Sequence, residues 1–212
     1  MAGNNYHHGD LKNALIQAGI DILAEEGVGG LSLRKAARKA GVSHAAPYAH
    51  FDDKQTLIAA IAADGHNKIN QRLEAVVARY PADPLRQFMG AVWAYVQFGL
   101  EAPAHYKITF SGAILDEHVH PEFMECSQRN MQMLKRIVER CRTAGVLDAA
   151  DPDAELQAMG LWGLIHGLVS LLIQGQLPSR LLQRSAPEDL VLAALRQVVR
   201  VPVDKSMLHT EE

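Results

Sequence analysis

Along the chain, apolar positions recur three and four residues apart between glycine, proline and aspartate breaks, with no strand-like alternation, hairpin signal or internal repeat. The pattern predicts an all-α protein. Leu11, Leu15, Ala18 and Ile22 share one face of a helix from about Asp10 to Glu26, with Gly27 placed to end it. Ser32 suits the cap of a very short second helix stopping at Gly41, and Ser43 the cap of a third through His50. A long helix from about Lys54 to Ala78 ends before Tyr80-Pro81. Asp83-Pro84, a cap followed by proline at the first helical position, starts a helix reaching about Leu100. After a stretch broken by Pro103 and Pro121, helices are expected from about Glu122 to Ala144 and from Asp151-Pro152 to about Gly175. The last begins at Ser185, where Ser185 and Glu188 can form a reciprocal capping box.

The segment SLRKAARKAGVSHAAPYAHF, from Ser32 to Phe51, meets the physical requirements of a helix-turn-helix. Ala36, Ala37 and Ala40 are small enough for two helices to cross closely, and Gly41 can take the left-handed conformation of the turn. Val42, Leu33 and Phe51 are spaced to close a small core with Leu15 and Ile22. The third helix would then enter the major groove, with the second crossing the phosphates. On this basis residues 1–55 are expected to be the DNA-binding module. Residues 56–212 are expected to form a second, helical domain.

Charge changes the picture only locally. The formal net charge of −3 is not that of a typical nucleic-acid binder. Yet LRKAARKAG supplies Arg34, Lys35, Arg38 and Lys39 without an acid, while Asp10, Asp21, Glu25 and Glu26 precede it. Such a run is either a solvated helix face or a phosphate-binding one. A hydrophobic share of 48% with 21% charged residues is that of a globular chain. Met1 to Asp10 has neither the basic start nor the apolar stretch of a secretory signal, so the expected location is cytoplasmic. Cys126 and Cys141 are fifteen positions apart in one helical pattern, roughly 22 Å along an intact helix, too far to bridge.

With these residues in place, the stretch from 6 to 61, YHHGDLKNALIQAG through KQTLIAAI, resembles the DNA-binding domain of the TetR family of bacterial transcriptional regulators. LWGLIHGLVSLL resembles the C-terminal domain of a TetR subgroup with a tryptophan and a His-Gly pair at this spacing. The resemblance implies phosphate contacts for Ser32, Tyr48, His50 and Lys54, with Arg34 in the adjoining basic cluster. It implies base-facing positions for Ser43, His44 and Ala45. Chemistry agrees: ammonium and hydroxyl groups suit phosphate oxygens, alanine methyls can sense thymine methyls, and imidazole can hydrogen-bond a purine edge. Tyr48 suits either the core or an outward polar tip, whereas Phe51 reads as core. The reading helix has no arginine, and Pro47 removes an amide from it, which shifts weight toward DNA shape.

Met159 to Ile173 is apolar nearly all round, but fifteen residues are short for a membrane span, and burial against other helices is expected instead. Gly160, Gly163, Gly167 and Ser170 form a small-residue seam. This helix and the last, with Leu190, Ala194 and Val198 on a stripe, are expected to build a homodimer interface, as TetR-like proteins usually do; packing within the chain is the alternative. From the many aromatic residues, Trp93, Phe98, Tyr106, Phe110, Phe123, Trp162 and His166 are candidates to line a pocket for an apolar effector. No cofactor or metal is expected, since His118, His120 and Glu122 lack partners on a proline-containing loop. No phosphate-binding glycine loop, nucleophile elbow or HExxH is present to support an enzyme. The expected function is a ligand-responsive repressor binding palindromic operator DNA as a dimer. The alternative is a helical adaptor, or a small-molecule enzyme, that has lost DNA binding.

Overall fold

A computed structural model describes residues 8–114, 116–149 and 153–209. Its helices are α1 (His8–Gly30), α2 (Leu33–Lys39), α3 (Lys54–Arg79), α4 (Pro84–Glu101), α5 (Pro103–Thr109), α6 (Pro121–Thr143), α7 (Ala154–Ile173), α8 (Ser179–Leu182) and α9 (Pro187–Leu195). Single 3-10 turns form at Ala46–Ala49, Glu117–Val119 and Lys205–Met207. Among the described residues there is no strand, only a bridge between Leu147 and Val199. Two compact units emerge, Met1–Asn67 with Ala102–Ser127, and Lys68–Glu101 with Gln128–Glu212, so α3 and α6 contribute to both. The expected division at residue 55 follows the DNA-binding motif; these units follow packing.

In the first unit α1 is interrupted at Gly27, whose φ of 68° is cheap only for glycine, at the position expected to end it. Ser32 then sits extended, and its Oγ accepts from the Lys35 amide at 3.2 Å, starting α2. At the other end the Val42 amide reaches Ala37 O at 3.0 Å and the Gly41 amide reaches Arg38 O at 3.2 Å, a Schellman closure around Gly41 at φ 71°. Leu15, Ile22, Leu33, Ala36 and Phe51 are buried together with Val42 packed against them, as the spacing predicts. Each such apolar side chain contributes roughly 1.5–3 kcal/mol by leaving water.

The stretch between Pro103 and Pro121, expected to be irregular, contains α5. Seven residues are too few for a periodic signal, and Ala102 offers no side-chain cap, so only tertiary packing reveals it. α5 lies so close to α3 that a Cβ on Gly65 would stand 2.0 Å from Thr109 Oγ1. His105, on the same helix, is buried with Nε2 2.9 Å from Ile61 O.

The second unit packs α4 against α7 and α7 against α9. Phe88, Met89, Val96 and Phe98 of α4, Ala158, Leu161, Ile165 and Val169 of α7, and Val191, Leu192 and Leu195 of α9 are buried. Three starts differ from expectation. The Asp151-Pro152 signal lies outside the described residues, and α7 is capped by Asp153, which accepts from the Glu155 and Leu156 amides at 2.8 and 3.2 Å. The Ser185–Glu188 box does not form. Instead Asp189, one residue further on, accepts from the Ala186 amide at 3.0 Å. Residues 179–182, for which no helix is expected, form α8. α7 itself runs to 20 residues, so length alone does not exclude a membrane span, and only 22% of its apolar window is buried.

Cys126 and Cys141 are both reduced and buried. Cys126 donates to Asn67 Oδ1 at 3.0 Å, and burial pushes the Cys141 thiol up to about 12.

Candidate nucleic-acid interface and effector region

The helix-turn-helix presents a polar surface over an apolar base. Ser32, Arg34, Arg38, Ser43, His44, Ala45 and Tyr48 are exposed, while Leu33, Ala36, Ala37, Pro47 and Phe51 are buried. Tyr48, which suited either environment, is 54% exposed and points its phenol outward. The Ser32 hydroxyl accepts from the Lys35 amide and retains its own proton, so capping and donation to a phosphate are compatible.

The third helix is a single 3-10 turn at Ala46–Ala49, not the helix from Ser43 to His50 expected from spacing. Pro47 has no amide to close a four-residue bond on Ser43, and the Ser43 carbonyl instead accepts from the Ala46 amide at 3.0 Å. His44 and Ala45 therefore lie in the turn leading into this element, ahead of its first residue.

The basic cluster divides into two kinds of group. Lys35 pairs with Glu26, and Lys39 donates to Glu25 at 2.6 Å, a bond that raises the lysine pKa. Arg34 and Arg38, both exposed, make no ion pair among the described residues. Lys54 is half-buried, and its Nζ donates to Val28 O at 2.7 Å, so it closes the end of α1 as well as starting α3. Asp53 caps α3 through the Thr56 amide at 2.9 Å, which holds its carboxyl below the usual range. His50 is half-buried, its ring 6.2 Å from that of Phe51.

The effector candidates fall into separate groups. In the first unit Tyr106, Phe110 and Phe123 gather with His66, whose ring lies 5.3 Å from Phe110 and 5.5 Å from Phe123. Burial lowers the His66 pKa to about 4, so it is neutral at pH 7. In the second unit Tyr95 of α4 accepts from Trp162 Nε1 at 3.1 Å and donates to His166 Nδ1 at 2.8 Å. Desolvation holds His166 below the usual imidazole range, which suits its ring nitrogen as an acceptor. Trp93 packs edge-on against His209, and Phe98 lies beneath Arg72.

On α7, Leu156 is 63% exposed, and Met159, Leu164 and Leu171 are exposed as well. A Cβ added at Gly160, Gly163 or Gly167 would meet nothing within 4 Å. Among the described residues these three glycines of the seam have no close neighbour in their own chain beyond α7 itself.

Residues 15–61 match the family described as bacterial regulatory proteins, tetR family, and residues 85–198 match the tetracyclin repressor-like C-terminal domain, which alone covers more than half of the chain. The chain belongs to the TetR family. It is therefore a transcriptional regulator with its helix-turn-helix in the N-terminal module, and members of the family bind operator DNA, act as dimers and respond to small molecules. TetR membership argues against the enzyme alternative. The chain is 36% identical over 87 residues to the class A tetracycline repressor of transposon 1721 from Escherichia coli, 39% of this chain, and spans 40% of that protein's length. It is 25% identical over 158 residues to the HTH-type transcriptional regulator YobS of Bacillus subtilis, 74% of this chain and 76% of that one. A solved protein of unknown function from Rhodococcus sp. RHA1 matches with a TM-score of 0.75 at 30% identity over 93% of this chain and all of that one. FadR of Bacillus subtilis, solved with stearoyl-CoA, shares the fold at a TM-score of 0.73 and 16% identity, over 89% of this chain and 97% of that one.

Two features of this TetR-family chain escape sequence reasoning. Tyr95 joins Trp162 and His166 only because α4 packs on α7, and no local spacing announces that pairing. The sorting of cations into paired lysines and exposed arginines depends on how α1 lies beside α2.

Proposed function

We propose that the protein is a cytoplasmic, ligand-responsive repressor that binds a palindromic operator as a homodimer and leaves it when a small molecule binds. The observation that carries this reading is the exposure of Ser32, Arg34, Arg38, Ser43, His44 and Tyr48 on a module whose core residues Leu15, Ile22, Leu33, Ala36 and Phe51 are buried. Arg34 and Arg38, with Ser32, Tyr48 and Lys54, supply the phosphate contacts; Ser43, His44 and Ala45 meet base edges. With one short turn and no arginine to insert, direct readout is sparse, and DNA shape carries a larger part of selectivity. The exposed apolar side of α7, with α9, supports dimerisation there, because its glycines admit a second backbone closely while its leucines need cover.

Two heads on a twofold axis fit successive major grooves when their reading elements stand roughly 34–36 Å apart or a multiple of that. An effector that prefers another spacing must weaken DNA binding by the factor by which DNA weakens effector binding. The test is selection of bound duplexes from a random pool, followed by titration and footprinting of the winner. An inverted repeat protected on one face, bound in proportion to dimer, is expected. Enrichment of no sequence at all would overturn the reading.

A further inference from the structure

Within the second unit, the last turns of α3, the middle of α4 and the C-terminal 3-10 segment border a groove of about 600 Å³ that none of the features above accounts for. That volume lies in the range of small-molecule sites. Gly90 makes the groove's floor shallow by letting α3 approach: a Cβ there would stand 2.9 Å from Val76 Cγ1. Val76, Ala94 and Leu208 give it apolar surface. One wall is held in place from outside, since Arg86 donates to Ser206 O at 2.9 Å and Lys205 pairs with Asp189 at 2.7 Å, fixing the segment that carries Leu208.

The charges in the groove do not cancel. Arg72 and Glu101 neutralise one another at 2.7 Å, with the Arg72 guanidinium also over the Phe98 ring. Arg79 is exposed and has no ion pair among the described lining residues, where His209 is the other ionisable group besides the Arg72–Glu101 pair. Trp93 lines the same groove with only 6% of its surface exposed, and its indole Nε1 is buried with no hydrogen-bond partner among the described residues.

We propose that this groove is a ligand site for a small amphipathic monocarboxylate. Arg79 meets the carboxylate, and the apolar body lies along Val76, Ala94 and Leu208 beside the Trp93 ring. The single uncompensated charge selects a monoanion over a neutral molecule or a polyanion. This deepens the ligand-responsive reading and rests on it, but binding is read without DNA, so failure here leaves operator recognition standing.

The experiment uses the full chain carrying Trp162→Phe, which leaves Trp93 as the one tryptophan, with octanoate as probe and 1-octanol as its neutral match. Octanoate is expected to change Trp93 emission saturably, and calorimetry on the unaltered chain to give the same Kd. Both 1-octanol and octanoate against Arg79→Gln should bind at least about tenfold more weakly, the scale of one lost charge-assisted hydrogen bond. Arg79 is exposed, so the substitution leaves the core intact, and far-ultraviolet circular dichroism checks this. The site is overturned if octanoate gives no saturable signal, if 1-octanol binds as well, or if Arg79→Gln binds octanoate like the parent.

Discussion

The helix-turn-helix module and α7 are both short-period apolar helices in sequence, yet they turn opposite chemistry to solvent. In the module, Leu33, Ala36, Ala37 and Phe51 are buried, and the exposed positions of the motif include hydroxyl, imidazole and guanidinium groups. On α7, Ala158, Leu161, Ile165 and Val169 use one face against the chain while Leu156, Met159, Leu164 and Leu171 remain outside among bare glycines. What is left uncovered indicates what each region meets. A surface of donors and cations suits an anionic polymer, whose binding weakens steeply with salt. A surface of leucine and glycine suits another packed helix, whose association gains roughly 1.5–3 kcal/mol per buried large side chain and depends little on salt.

The largest effect should come from breaking the apolar side of that contrast. Gly163→Leu adds a side chain where nothing of the same chain lies within 4 Å, so it spares the monomer fold and obstructs a partner. Sedimentation should show a monomer at concentrations where the parent is dimeric, and operator affinity should fall by about a hundredfold or more, equivalent to about 2.7 kcal/mol. A dimer of normal affinity would place the interface elsewhere than α7.

A pH effect of similar size comes from the N-terminal unit. His66 has its pKa lowered by burial from 6.5 to about 4, so the unfolded chain takes up a proton before the folded one does. The stability this histidine contributes is complete above pH 6.5 and is lost as pH falls toward 4, by about 3 kcal/mol. Urea unfolding at pH 7 and pH 4.5 should show that loss in the parent and much less of it in His66→Gln. Equal losses in both would mean that His66 is not the group responsible.

Smaller effects sharpen the polar side. Arg34→Ala and Arg38→Ala should each lower DNA affinity about five- to tenfold and reduce the salt slope by about one, since each exposed guanidinium displaces a counterion. Lys39→Ala, whose ammonium is already held by Glu25, should change both by less than about twofold. If the lysine matters as much as the arginines, its pair with Glu25 opens on DNA. The smallest is Ser32→Ala, which removes the cap of α2 and should cost about 1 kcal/mol in urea unfolding.

The order of residues alone specifies that the chain is helical, that Ser32 to Phe51 is a helix-turn-helix, and that Leu15, Ile22, Leu33 and Phe51 close its core. These are local matters: caps, a left-handed glycine and side-chain spacing act within a few turns, and each leaves a mark in the order of residues. Pro47 was legible too, but its consequence, a single 3-10 turn in place of a reading helix, depended on which carbonyl found another amide. The packing of helix on helix settles that α5 exists, that Lys35 and Lys39 are tied to α1 while Arg34 and Arg38 stay exposed, and that Tyr95 stands between Trp162 and His166. It also gathered Arg79 and Trp93, from consecutive helices, and Leu208, from near the far end of the chain, around one groove. Each of those outcomes depends on which helix faces which, and periodicity names the apolar face of a helix without naming the surface that will cover it.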